Sequence, residues 1–153
     1  MKKSYKLLIL DIILLLFFAI ATYFFYHMLP LFITKVFFPY QINILELVKL
    51  VVTTYLLWYL FHLLFLKKES NFYTAAMLLF HIVILLFFLI LSSKIVNSFL
   101  LFMIFFLATM ILALVFRNKL KAYVKPNKKI ENWSILIFPF FYLIFLIILL
   151  VTP

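Results

Sequence analysis

The sequence predicts an all-α polytopic membrane protein with five transmembrane helices, N-terminus inside and C-terminus outside. Three observations carry that prediction. Hydrophobic residues make up 70% of the 153 positions and charged residues 12%, whereas a soluble domain averages about 45–50% apolar and about 25% charged. The apolar residues form continuous runs, each long enough at about 1.5 Å per residue to cross a hydrocarbon core of about 30 Å. A membrane β-barrel would alternate polar and apolar positions instead. Finally, the basic residues crowd into alternate connections between the runs, as the positive-inside rule requires.

The first span is expected over 7–29. Lys2, Lys3 and Lys6 precede it, and Ala19-Ile20-Ala21 imitates a signal-peptide cleavage site. Asp11 interrupts the would-be signal core and the apolar residues continue to Leu29, so a retained helix is predicted. Between Pro30 and Pro39 the chain is too short to span and suits a brief interfacial helix or re-entrant turn. Spans follow at 44–66, 72–91, 99–116 and 134–151, and the whole chain reads as one membrane domain. A basic inner loop is expected at 117–133, although Leu120, Tyr123 and Val124 keep helical spacing and could carry the fourth helix to about Val124. Pro139 predicts a kink near the start of the last span.

Placing alternate connections on one side gathers Lys2, Lys3, Lys6, Lys67, Lys68, Arg117, Lys119, Lys121, Lys125, Lys128 and Lys129 there. Lys35 and Lys94 fall on the other side, with Lys49 near that interface. The net charge of +10 is therefore a topology signal and a candidate contact for anionic lipid or a partner, and no nucleic-acid binding is expected.

Two absences limit the chemistry. The chain has no cysteine and no glycine. Without cysteine there are no disulfides, thiolate metal sites or thiol nucleophiles. Without glycine there is no phosphate-cradling P-loop, dinucleotide fingerprint or GxxxG helix contact. No cofactor is expected. Lysine and phenylalanine richness without glycine also matches AT-rich codons, which points to a low-GC bacterium or an AT-rich organelle genome.

Ionisable residues inside a bilayer are costly and mark either helix pairing or function. Asp11 lies four residues inside the first span and His62 four residues before the end of the second. In an antiparallel hairpin these depths coincide, so a buried pair is predicted. The same register would set His27 opposite Glu46, but the intervening helical rotation forbids both pairs on one face. Glu46 and Lys49, three apart, share a face and can pair, with Lys49 expected to snorkel toward headgroups. His81 sits in the middle of the third span, where a neutral imidazole bonded to a helix backbone carbonyl or serine hydroxyl is expected. The three histidines lack metal-ligand spacing, and no metal site is expected.

With no catalytic motif and almost no extramembrane domain, the chain is expected to be a non-enzymatic accessory subunit. Its host would be a larger respiratory or transport complex in an energy-transducing membrane, either mitochondrial inner or bacterial plasma. Other integral membrane subunits and the bilayer are its expected partners. Two alternatives are a proton- or ion-conducting component working through Asp11, His62 and His81, and a small bacterial immunity or regulatory membrane protein.

Overall fold

The structure, a computed structural model, describes residues 2–29, 32–39, 43–66, 69–91 and 99–151. Among them all regular structure is helical: α1 (Lys2–Met28), α2 (Phe32–Phe37), α3 (Ile44–Phe65), α4 (Asn71–Leu91), α5 (Phe99–Tyr123), α6 (Lys128–Ser134) and α7 (Ile137–Val151). Five stretches are long and apolar enough to cross a membrane: Lys6–Phe25, Ile44–Phe65, Asn71–Ile90, Leu100–Tyr123 and Lys128–Val151. The chain is thus a helical integral membrane protein with five candidate spans. Lys67, Lys68 and Lys94, which weigh in the charge count, lie outside the described residues, as does Pro30.

Local chemistry sets the helix ends. Asn43 caps α3, its side-chain oxygen accepting from the Glu46 amide at 2.9 Å, which satisfies one of the unpaired first-turn donors. Asn127 caps α6 in the same way, accepting from the Ile130 amide at 2.8 Å. The α5 helix carries Lys121 in its last turn, a favourable charge at the negative end of the dipole, and ends ahead of Pro126.

The fourth helix runs on as its spacing suggests: α5 extends through Arg117 to Tyr123, and only residues 124–127 separate it from α6, so the expected basic loop 117–133 is itself mostly helical. The extension follows the spacing of Leu120 and Tyr123 beyond the apolar run. The last span is interrupted near its start, where Pro139 predicts a kink. The chain turns at Ile135 and Leu136, and Pro139 falls in the first turn of α7, where its missing N–H costs least. The ring of a proline clashes with the carbonyl four residues earlier. That places the break at Ile135, one turn before the proline itself.

The α3 helix is the central post. In its most apolar window 61% of residues are buried, against 22% in the first span and 11% in the last. Leu50, Val51, Val52, Tyr55 and Trp58 are completely enclosed. On one side α3 receives α1, on another α4, and α7 packs against α3 and α2. The most extensive pairing joins α4 and α5, where the small residues Thr109 and Ala113 are fully buried and Phe80 stacks on Phe116 at 4.2 Å. Small side chains let membrane helices approach closely, and contact there rests on packing and hydrogen bonds because lipid is as apolar as leucine.

Candidate functional site

Ionisable groups from three helices and one connection gather at the end of the bundle where α1 begins and α3 and α5 finish. Asp11 of α1 is the hub. Its Oδ1 lies 2.9 Å from His62 Nε2 and accepts from Trp58 Nε1 at 3.2 Å, both on α3. Its Oδ2 accepts from Arg117 Nη2 of α5 at 2.7 Å. His62 and Trp58 are four residues apart and so occupy one face of α3, which is why both reach the same carboxylate. The Arg117 guanidinium also lies 5.3 Å from the Trp58 ring centre, within cation–π range. Asp11, His62 and Arg117 are each more than nine-tenths buried.

Toward the surface the cluster continues into an exposed layer. Glu69, in the connection from α3 to α4, accepts from Lys121 Nζ at 2.9 and 3.0 Å and lies 3.4 Å from Arg117 Nη1. A cleft of about 470 Å³ opens onto this layer, walled by Asp11, His62, Glu69, Arg117, Asn118 and Lys121 together with the apolar Leu7, Leu8, Phe65 and Leu66.

Three further polar ties lie elsewhere. At the opposite end of α3, Lys49 Nζ donates to Glu46 at 2.7 and 2.8 Å and to the Lys35 carbonyl of α2 at 2.6 Å. The predicted pair is present, but Lys49 turns inward instead of snorkelling and ties α2 to α3. One turn on, Thr53 donates to the Phe37 carbonyl and accepts from Tyr142 Oη of α7 at 3.0 Å. Midway along the bundle, His81 is fully enclosed, with Tyr55 Oη of α3 2.8 Å from its Nδ1 and Thr109 Oγ1 of α5 2.9 Å from its Nε2. Its partners are hydroxyls on two neighbouring helices, and His81 thereby joins three spans.

The third tie uses Glu131, the lone acid of the basic segment. Its carboxylate accepts from Ser70 Oγ at 2.7 Å and from the Asn71 and Phe72 amides at 2.6 and 3.4 Å. These amides are first-turn donors of α4 without helical partners, and a carboxylate there also meets the positive end of the helix dipole. So α6 is docked onto the start of α4.

Of the predicted site residues, Asp11 and His62 meet as depth-matching proposed. The side chain of His27 lies outside the described residues. Arg117, expected among the exposed loop cations, is instead buried in the Asp11 cluster, because α5 carries it back over α1 before ending. Lys119, Lys121, Lys125, Lys128 and Lys129 remain exposed. Sequence reasoning missed Trp58, Glu69 and the two hydroxyl partners of His81. One signal was present for Arg117: it is the single arginine beside thirteen lysines, and arginine's rigid fork suits a buried carboxylate better than lysine's point charge. Among the described residues no three His, Asp or Glu side chains converge in a metal-binding group. Comparison of the chain with protein-family models, with curated proteins and with solved structures gives no match.

Proposed function

We propose that the protein is a non-catalytic integral membrane subunit that packs against the helices of a larger assembly. A respiratory or transport complex of a bacterial plasma membrane or mitochondrial inner membrane is the setting that suits it, with the N-terminus inside as the basic residues favour. The observation carrying this reading is the closure of the polar network. Each ionisable side chain described as buried within a span (Asp11, Glu46, Lys49, His62, His81 and Arg117) meets its partner inside the chain. Closed pairs of this kind commonly fix helix register and orientation, which leaves the outward faces to do the recognising.

Those faces are apolar. On α7, Phe140, Leu143, Ile147 and Leu150 are each more than half exposed, and α1 turns a comparable surface outward. The arrangement of the polar groups also weighs against conduction through Asp11, His62 and His81. Between His81 and the Asp11 cluster stands Trp58, whose indole N–H can donate but not accept and so cannot pass a proton along a hydrogen-bonded chain.

A photo-crosslinker placed at Leu143 or Ile147 in native membranes tests the reading. The expected result is a discrete adduct with another integral membrane protein, and the same partner in gentle-detergent purification. Adducts to lipid alone, with a stable lone monomer, would overturn it.

A further inference from the structure

Glu131 holds one face of α6 against the start of α4 and leaves the other face turned outward. At about 3.6 residues per turn, Trp133 falls on nearly the opposite side of that helix from Glu131, between Lys129 and Ile130. Those three residues, with Ser134, line one open hollow. Trp133 is 64% exposed, and Tyr123 at the end of α5 is 86% exposed.

The lysines around these aromatics are unopposed. The chain has only four acids, and each is engaged elsewhere. Asp11 holds Arg117, Glu46 holds Lys49, Glu69 holds Lys121 and Glu131 caps α4. Lys119, Lys125, Lys128 and Lys129 are exposed, and none of the ion pairs among the described residues includes them.

Reach decides what can meet this face. Only four residues separate Trp133 from Ile137, the first residue of α7, and even a fully extended chain of that length covers about 14 Å. Tyr123 stands about 10 Å of helix beyond Phe116, where the apolar run ends. The headgroup layer is about 5–7 Å deep on each side of the hydrocarbon core, so both aromatics are tethered at or near it. The exposed stripe of α7 also points there. Phe140, Leu143, Ile147 and Leu150 continue backward at helical spacing through Leu136 to Trp133. The turn between keeps nearly helical winding, with the Leu136 amide on the Trp133 carbonyl and the Phe140 amide on the Leu136 carbonyl. An apolar stripe that ends in an indole and then lysines has the composition of a membrane–water boundary.

We infer that the outward face of α6 docks on the anionic headgroup layer of the leaflet it borders. Lys125, Lys128 and Lys129 meet lipid phosphates, while Trp133 and Ile130 seat at the edge of the acyl chains. A soluble protein on this face would have to bring acids to the lysines, whereas the bilayer brings phosphates at a distance the chain itself fixes. The contact needs no other subunit, so it stands or falls separately from the subunit reading above.

The test uses the full chain in vesicles of phosphatidylcholine with rising fractions of phosphatidylglycerol. Quenching by uncharged acrylamide reports Trp133 as the difference between the wild type and Trp133→Phe, since enclosed Trp58 is common to both. Trp133 should become shielded as phosphatidylglycerol rises, and should be quenched by lipids brominated near the headgroup end of the chain. Lys129→Ala should lower the ratio of shielded to open Trp133 about fivefold, the factor one basic residue near an anionic surface contributes. High salt should act in the same direction, and Lys35→Ala, at the other end of the bundle, should leave the ratio unchanged. Equal quenching in the two lipids overturns the inference. So does shielding indifferent to Lys129→Ala and to salt, which would mean apolar burial alone. It is also overturned if Trp133 stays open in vesicles and a crosslinker at Lys129 captures a soluble protein in native membranes.

Discussion

Asp11 Oδ2 and Arg117 Nη2 meet at 2.7 Å across 106 positions of sequence, closing the bundle by joining its first long helix to its fourth. Neither charge is affordable alone in this setting. An isolated ion in a low-dielectric interior costs several kcal/mol, and removing one partner of a buried pair typically costs about 3–5 kcal/mol. Asp11→Ala strips the partner from Arg117 and the acceptor from Trp58 and His62 together. A loss of stability at the upper end of that range is expected, measured by unfolding in detergent micelles, with a change in Trp58 fluorescence as the indole loses its hydrogen bond.

The same logic separates the two other acid–base pairs by depth. Glu46 and Lys49 are both buried, so Glu46→Gln should cost about 3 kcal/mol or more and loosen α2, whose Lys35 carbonyl shares the ammonium. Glu69 and Lys121 sit near the surface, where pairs are worth about 0–1 kcal/mol and are screened by salt. Glu69→Gln should therefore shift the unfolding midpoint little, and less still in high salt. Equal effects at the two sites would contradict the burial argument.

His81 makes a different kind of tie. Its two ring nitrogens are bridged to Tyr55 and Thr109, and interhelical hydrogen bonds of this sort contribute about 0.6–2 kcal/mol each. Tyr55→Phe and Thr109→Val remove one hydroxyl apiece with little change of shape, so each should destabilise by about that amount. Thr109→Val should be the milder, since valine keeps the small contact surface that α4 packs against. A loss well above 2 kcal/mol from Tyr55→Phe would indicate a role for the hydroxyl beyond this bond.

Glu131→Ala should leave the spans folded but free the start of α4. Losing a helix cap costs about 0.5–2 kcal/mol, and here the amides of Asn71 and Phe72 lose their acceptor. Faster hydrogen exchange at those two amides, with the Tyr55–His81 region unchanged, is the expected signature. Unchanged exchange would show that water or another group caps α4 equally well.

How much of this was legible in the sequence follows the range of the interactions. Five spans were readable because hydropathy is a local property, and the Glu46–Lys49 pair because three-residue spacing fixes a helical face. Asp11 and His62 could be matched across two helices since a hairpin sets a common depth. Arg117 was misplaced because its charge assigned it to the exposed basic segment, although helical spacing already carried the fourth helix past Phe116. Burial there is decided by the packing of α5 over α1, which no window of sequence contains. Tyr55 and Thr109 were hidden for a related reason: hydroxyls are ordinary in membrane helices, and only the three-helix packing singles out the two that face His81.

The most direct test of the account is a double-mutant cycle on Asp11→Asn and Arg117→Gln, read by unfolding in detergent micelles. If the two side chains act as one tie between α1 and α5, the double variant will lose less than the sum of the single losses, with a coupling of about 1–3 kcal/mol. Strictly additive losses would mean that the buried charges do not hold the bundle together, and would contradict the account.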